Sequence, residues 1–79
     1  MTEATLGEWK LKVENKDLFV DLKKNRQGTY LKISERAGSS RNTVLIPAGG
    51  VLRLKQILEE VVQTLSDTPK PIRSVSKNV

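Results

Sequence analysis

The sequence contains no cysteine and no histidine, only three prolines, and one residue each of tryptophan, tyrosine and phenylalanine. Without cysteine there is no disulfide framework, thiolate zinc site or thiol nucleophile, and without histidine the commonest general base and metal ligand is missing as well. Nothing replaces them. Ser34 with Glu35, or Asp21 near Glu35, comes with no accompanying base or oxyanion arrangement. The expectation is a non-enzymatic protein with no catalytic residue, no metal site, no cofactor and no small-molecule substrate. No apolar run approaches the ~18 residues of a membrane-spanning helix, and the start Met1-Thr2-Glu3-Ala4-Thr5 is polar and acidic, unlike a signal peptide or an anchor. These absences point to an intracellular location, cytoplasmic or nuclear/nucleoid, and to no membrane partner.

What is present is a short basic chain. Its 79 residues carry 14 Lys+Arg against 9 Asp+Glu, a formal net charge of +5. That length suits one small domain, in a size range where folding buries only about 60% of the unfolded surface. A core of this size is marginal in one copy, so a homodimer is expected. The charge fits a polyanionic partner or simply a basic solvated surface, and only its placement separates the two.

Alternation sets the first half of the chain. Trp9, Leu11 and Val13 oppose Lys10, Lys12 and Glu14, the period of a half-buried strand over about 8–14. Asn15, Lys16 and Asp17 provide a turn. Leu18, Val20 and Leu22 then alternate with Phe19, Asp21 and Lys23 in a second strand. The segment Asn25-Arg26-Gln27-Gly28 has hairpin chemistry, with Gly28 placed for a positive φ. In the third strand Leu31 and Ile33 form the apolar side and Tyr30, Lys32, Ser34 and Arg36 the other, until Ala37-Gly38-Ser39-Ser40 breaks the pattern. A fourth strand spans 42–47, with Val44 and Ile46 inward and Pro47 at its end.

Parity fixes the register of the second and third strands. For both apolar sets to share one face their pairing sum must be odd, and a four-residue loop gives 53, which sets Lys23 opposite Tyr30, Asp21 opposite Lys32 and Phe19 opposite Ser34. After Gly49-Gly50 the period becomes 3.6: Val51, Leu54, Ile57, Leu58, Val61, Val62 and Leu65 recur at three and four. The glycine pair lacks the spacing of a phosphate loop and is expected to release strand four into this helix. From these patterns the fold class is α+β, a four-stranded antiparallel meander with one helix covering its apolar face. The expected organisation is a flexible N-terminus over 1–8, a folded unit over 9–65 and a flexible basic tail over 66–79.

The side of the sheet away from the helix carries Lys10, Lys12, Phe19, Lys23, Tyr30, Lys32, Ser34 and Arg36, with Glu14 and Asp21 as its acids. Cations around exposed rings suit single-stranded nucleic acid, where Lys and Arg neutralise phosphates and rings stack on bases. Lys24 and Arg26 in the turn can bind phosphate, and the Asn25 and Gln27 amides can both donate to and accept from base edges. Ser39-Ser40-Arg41-Asn42 has a similar but less specific composition. Two other readings fit the same residues. Exposed lysines are ordinary protection of a sheet, and a second subunit or a protein partner could cover Phe19 and Tyr30.

The run Phe19-Val20-Asp21-Leu22-Lys23-Lys24-Asn25-Arg26-Gln27-Gly28-Thr29-Tyr30-Leu31-Lys32-Ile33-Ser34-Glu35 resembles the signature of PUR repeats, found in Pur-alpha and related purine-rich element binding proteins. The likeness continues through Arg41-Asn42-Thr43-Val44-Leu45-Ile46-Pro47 and the helix, covering roughly 9–65. It implies a ββββα repeat, two copies of which intertwine into one domain, and hence a homodimer for a single-repeat chain. It also implies binding of single-stranded, purine-rich, G-containing DNA or RNA, with Lys23, Asn25 and the turn through Gly28 contacting the strand. Thr29 stands where the family usually has Arg, and the aromatic typical near Leu54 is absent, which predicts weaker stacking or affinity. Phe19 and Tyr30 keep the family's aromatic positions. Met1 and the tail fit a whole short protein, and one repeat of a longer chain fits as well. The alternative to nucleic-acid binding is a dimerisation or scaffold module that contacts protein.

Overall fold

The structure, a computed structural model, describes residues 3–67. Four strands, β1 (Ala4–Val13), β2 (Lys16–Asn25), β3 (Gly28–Ala37) and β4 (Ser40–Pro47), are followed by one helix, α1 (Ala48–Asp67). The strands pair antiparallel in chain order, as the short polar turns between them require. This is the expected ββββα meander.

The register follows the parity argument. β2 and β3 pair Lys23 with Tyr30, Leu22 with Leu31, Asp21 with Lys32, Val20 with Ile33 and Phe19 with Ser34. The turn is tighter than the expected four residues, because Asn25 pairs with Gly28 and only Arg26 and Gln27 are left outside the ladder, which keeps the same sum. Gly28 has φ 140, conformational space that a Cβ would oppose. β1 starts at Ala4, so part of the segment expected to be flexible over 1–8 is paired strand, with a bulge between Thr5 and Gly7. That bulge lets the strand continue to Lys23 and Lys24 of β2. At the other end α1 takes in Ser66 and Asp67, while the tail expected to be flexible otherwise lies outside the described residues.

Alternation now gives two faces. On the inner face the apolar pairs are Trp9 with Val20, Leu11 with Leu18, Leu22 with Leu31, Ile33 with Val44, and Leu31 with Ile46. One end of that face is polar: Lys16 Nζ lies 3.0 Å from Glu35, which also accepts from Asn42. These two donors hold the Glu35 carboxyl below its usual range, Lys16 contributing most.

The expected placement of the helix is corrected. α1 does not cover the inner face; it touches only β3 and β4, through its first turns, where Gly50, Val51 and Leu54 are half-buried. The reason lies in the connection. β4 ends at Pro47 and α1 begins at Ala48, so no residue remains to turn the chain back across the sheet. Gly49 and Gly50, expected to precede the helix, form its first turn instead. Among the described residues no apolar side chain is fully buried, and Trp9, Leu11, Val44, Leu58 and Val62 are each more than half exposed. The molecule is correspondingly elongated, 49 × 31 × 18 Å.

Candidate nucleic-acid interface

The outer face is built from four cross-strand rows. The first runs Lys12, Asp17, Arg36, Arg41 from β1 to β4; the second Lys10, Phe19, Ser34, Thr43; the third Glu8, Asp21, Lys32, Leu45. The fourth is Thr5, Lys23, Tyr30, Pro47. The structure therefore gathers Lys10, Lys12, Phe19, Lys23, Tyr30, Lys32 and Arg36 on one face, as the alternation predicts.

The other expected site residues lie at the turn end of the β2–β3 hairpin. Lys24 pairs with Thr29 and belongs to the inner-face parity, opposite to Lys23. Arg26 and Gln27 occupy the exposed tip of the β2–β3 turn. Asn25 is partly committed to that turn: its Oδ1 accepts from the backbone N–H of Gln27 at 2.8 Å and of Gly28 at 3.2 Å. Only its amide NH₂ is left to meet a ligand, so the expected donor-and-acceptor role narrows to donation. Glu14, expected among the outer-face acids, sits in the β1–β2 turn at φ 54.

Asp21 is on the outer face as expected, and the other acids there are Glu8 and Asp17. Asp17, expected in a turn, is in β2, where it accepts from Arg36 at 3.2 Å and lies 3.6 Å from Lys12. The hydrogen bond from Arg36 does most to hold its carboxyl below the ordinary range, and the charges of Lys12 and Lys10 add to it against partial desolvation. Ser34 and Glu35 fall on opposite faces, so they form no pair.

Around Tyr30 the ring borders an open hollow of about 380 Å³ lined also by Asn25, Gln27, Gly28, Thr29, Leu45 and Pro47. Its lining combines the apolar Leu45 and Pro47 with the amide-bearing Asn25 and Gln27, a composition able to take a planar heteroaromatic group against the ring and offer it hydrogen bonds. The Tyr30 hydroxyl donates to Glu3, a bond that raises the phenol's pKa and keeps it neutral. Lys23 Nζ donates to Thr5 at 3.1 Å, tying the start of β1 to this end.

At the other end Phe19 is ringed by cations: Lys10 Nζ at 5.5 Å, the Arg36 guanidinium at 5.4 Å and that of Arg41 at 5.5 Å from its centroid. At exposed sites each such contact contributes roughly 0.5 to 1 kcal/mol. Beneath them Ser34, the one buried residue among those described, shares a 3.2 Å hydrogen bond with Thr43. Arg41, Thr43, Leu45 and Pro47 were outside the expected outer face. Their signal was available, since an odd pairing sum between β3 and β4 puts the odd positions of β4 beside Tyr30, Lys32, Ser34 and Arg36.

Comparison with known proteins adds two findings. The family described as "PurA ssDNA and RNA-binding protein" matches residues 2–65. The chain is also 46% identical over 41 residues to "Transcription factor Pur-alpha 1" of Arabidopsis thaliana, a stretch that is 52% of this chain and 14% of that protein.

Proposed function

Because the chain belongs to the PurA family of single-stranded DNA- and RNA-binding proteins, we propose that its outer face and β2–β3 turn bind single-stranded, purine-rich, G-containing DNA or RNA without catalysis. The observation that carries this reading is the fourth row, where Lys23 lies opposite Tyr30 and Tyr30 opposite Pro47, beside the hollow that Asn25 and Gln27 help line. A base seated on Tyr30 brings its flanking phosphates toward Lys23 and Lys32, and Asn25 and Gln27 toward its edge. Arg26 at the turn tip extends the phosphate contacts.

The same reading includes a homodimer. The open inner face and the apolar positions of α1 belong to one chain, so a twofold arrangement lays each helix on the other copy's sheet and covers both at once. Two self-complementary surfaces favour a second copy over an unrelated protein partner. The similar Arabidopsis protein is named a transcription factor, and regulation of transcription inside the cell is the setting we propose here.

The test is an anisotropy titration with GGN-type and pyrimidine single strands over a range of salt, with the oligomeric mass measured alongside. Salt-sensitive binding with purine preference is expected, because phosphate contacts release counterions. Lys23→Glu with Lys32→Glu should abolish binding while the dimer persists. A dimer that binds neither strand at micromolar concentration and moderate salt is instead the scaffold module.

A further inference from the structure

We infer that the Phe19 end of the outer face is a phosphate site, formed by Lys10, Arg36 and Arg41, and that Phe19 supports these cations and does not stack on a base. The inference rests on the nucleic-acid reading above and divides the face into two subsites of different chemistry.

Three strands send a cation to one ring: Lys10 from β1, Arg36 from β3 and Arg41 from β4, all within 5.5 Å of the Phe19 centroid. Arg36 and Arg41 face each other directly across the ladder, a like-charge pair that opposes strand pairing. The only acid in their row is Asp17, and it is shared between Arg36 and Lys12. Arg41 and Lys10 form no ion pair among the described residues. An anion between them removes the repulsion that the ring only partly offsets, and guanidinium groups offer it paired donors in a planar fork. A base arriving at Phe19 has to displace these cations from the ring.

The third row explains why the phosphate belongs here. Glu8 and Asp21 oppose each other on β1 and β2 and line the hollow beside Phe19 together with Lys10 and Arg41. Their charge turns the strand that continues from this site away from the β1–β2 part of the third row, leaving Lys10 as the cation through which β1 reaches the phosphate. The ligand backbone then runs along β3 and β4, from Arg36 and Arg41 past Ser34 and Thr43 to Lys32 and Tyr30. Phe19 and Lys23 are four residues apart on β2, about 13 Å at the usual rise, a separation that a short run of linked nucleotides covers.

The experiment uses the full chain and a G-rich single strand carrying 2-aminopurine at each position in turn. For Arg41→Gln, the slope of log affinity against log salt should shrink by about 0.7 for each single-strand phosphate that is no longer neutralised, with 2-aminopurine quenching unchanged. Phe19→Leu should keep the quenching at every position, and Tyr30→Leu should abolish it at one. Circular dichroism of each variant confirms the fold. An unchanged slope for Arg41→Gln, or quenching abolished in Phe19→Leu, overturns the phosphate site while the function proposed above stands. If the unmodified chain binds no single strand even at low salt, both fall together.

Discussion

Asp17 is the residue at which the cationic face is held in check. It sits between Lys12 and Arg36, and the Arg36 hydrogen bond lowers its pKa; on the inner face Glu35 is lowered in the same way by Lys16 and then Asn42. A carboxyl whose folded pKa lies below its unfolded value stabilises the fold at any pH above the unfolded value and loses that contribution as pH falls through the folded one. Stability should therefore hold near neutral pH and begin to decline as pH drops below about 4, the ordinary carboxylate range. Denaturant midpoints measured between neutral and strongly acid pH check this, and Asp17→Asn should start lower at neutral pH and decline less. A decline of equal size in that variant removes Asp17 from the account. This role was illegible in the sequence because Asn15-Lys16-Asp17 has turn composition. The strand starts one residue before Asp17, and only the cross-strand neighbours Lys12 and Arg36 reveal what the carboxylate does.

At the scale of elements, the β2–β3 hairpin joins stability to recognition through a single amide. Asn25 Oδ1 closes the turn on two backbone N–H groups, which leaves its NH₂ as the group available to the proposed ligand. Asn25→Ala should cost about 0.5 to 1.5 kcal/mol in denaturant unfolding. Asn25→Asp keeps an acceptor for the turn but has no NH₂, so it should retain more stability and still bind single strands more weakly; equal binding by Asn25→Asp and the parent chain excludes that contact. The hairpin was also the most legible element. Alternation of Leu18, Val20 and Leu22 against Leu31 and Ile33 allows only an odd pairing sum, and that constraint together with the short loop marked by Asn25 and Gly28 placed Lys23 beside Tyr30. By contrast the three cations on Phe19 were only partly visible. Arg41 lies in a segment of turn composition, and its reach to a ring two strands away depends on the twist and packing of the whole sheet.

For the whole molecule the deciding fact is that no apolar residue among those described is fully buried. A single copy with so little interior is a poor candidate for a cooperative fold, so unfolding should be coupled to dissociation. The thermal midpoint is expected to fall on dilution, and Leu11→Glu, which puts a charge on the open inner face, should lower both the midpoint and the mass in solution. A midpoint independent of concentration excludes the dimer. Amphipathic spacing in α1 made the need for a covering surface legible, but it could not say which sheet supplies it, because that depends on the length of the joint after β4. At that joint Gly50 comes close to Ile46, whose Cγ2 would lie 3.3 Å from an added Cβ. The heading of the helix is thus steered by a swivel with almost no slack, and a lone copy could close on itself only by unwinding the first turn of α1 or the end of β4. The bareness of the single chain is in this sense a matter of tether length, and the same short tether would set how the proposed second copy seats its helix.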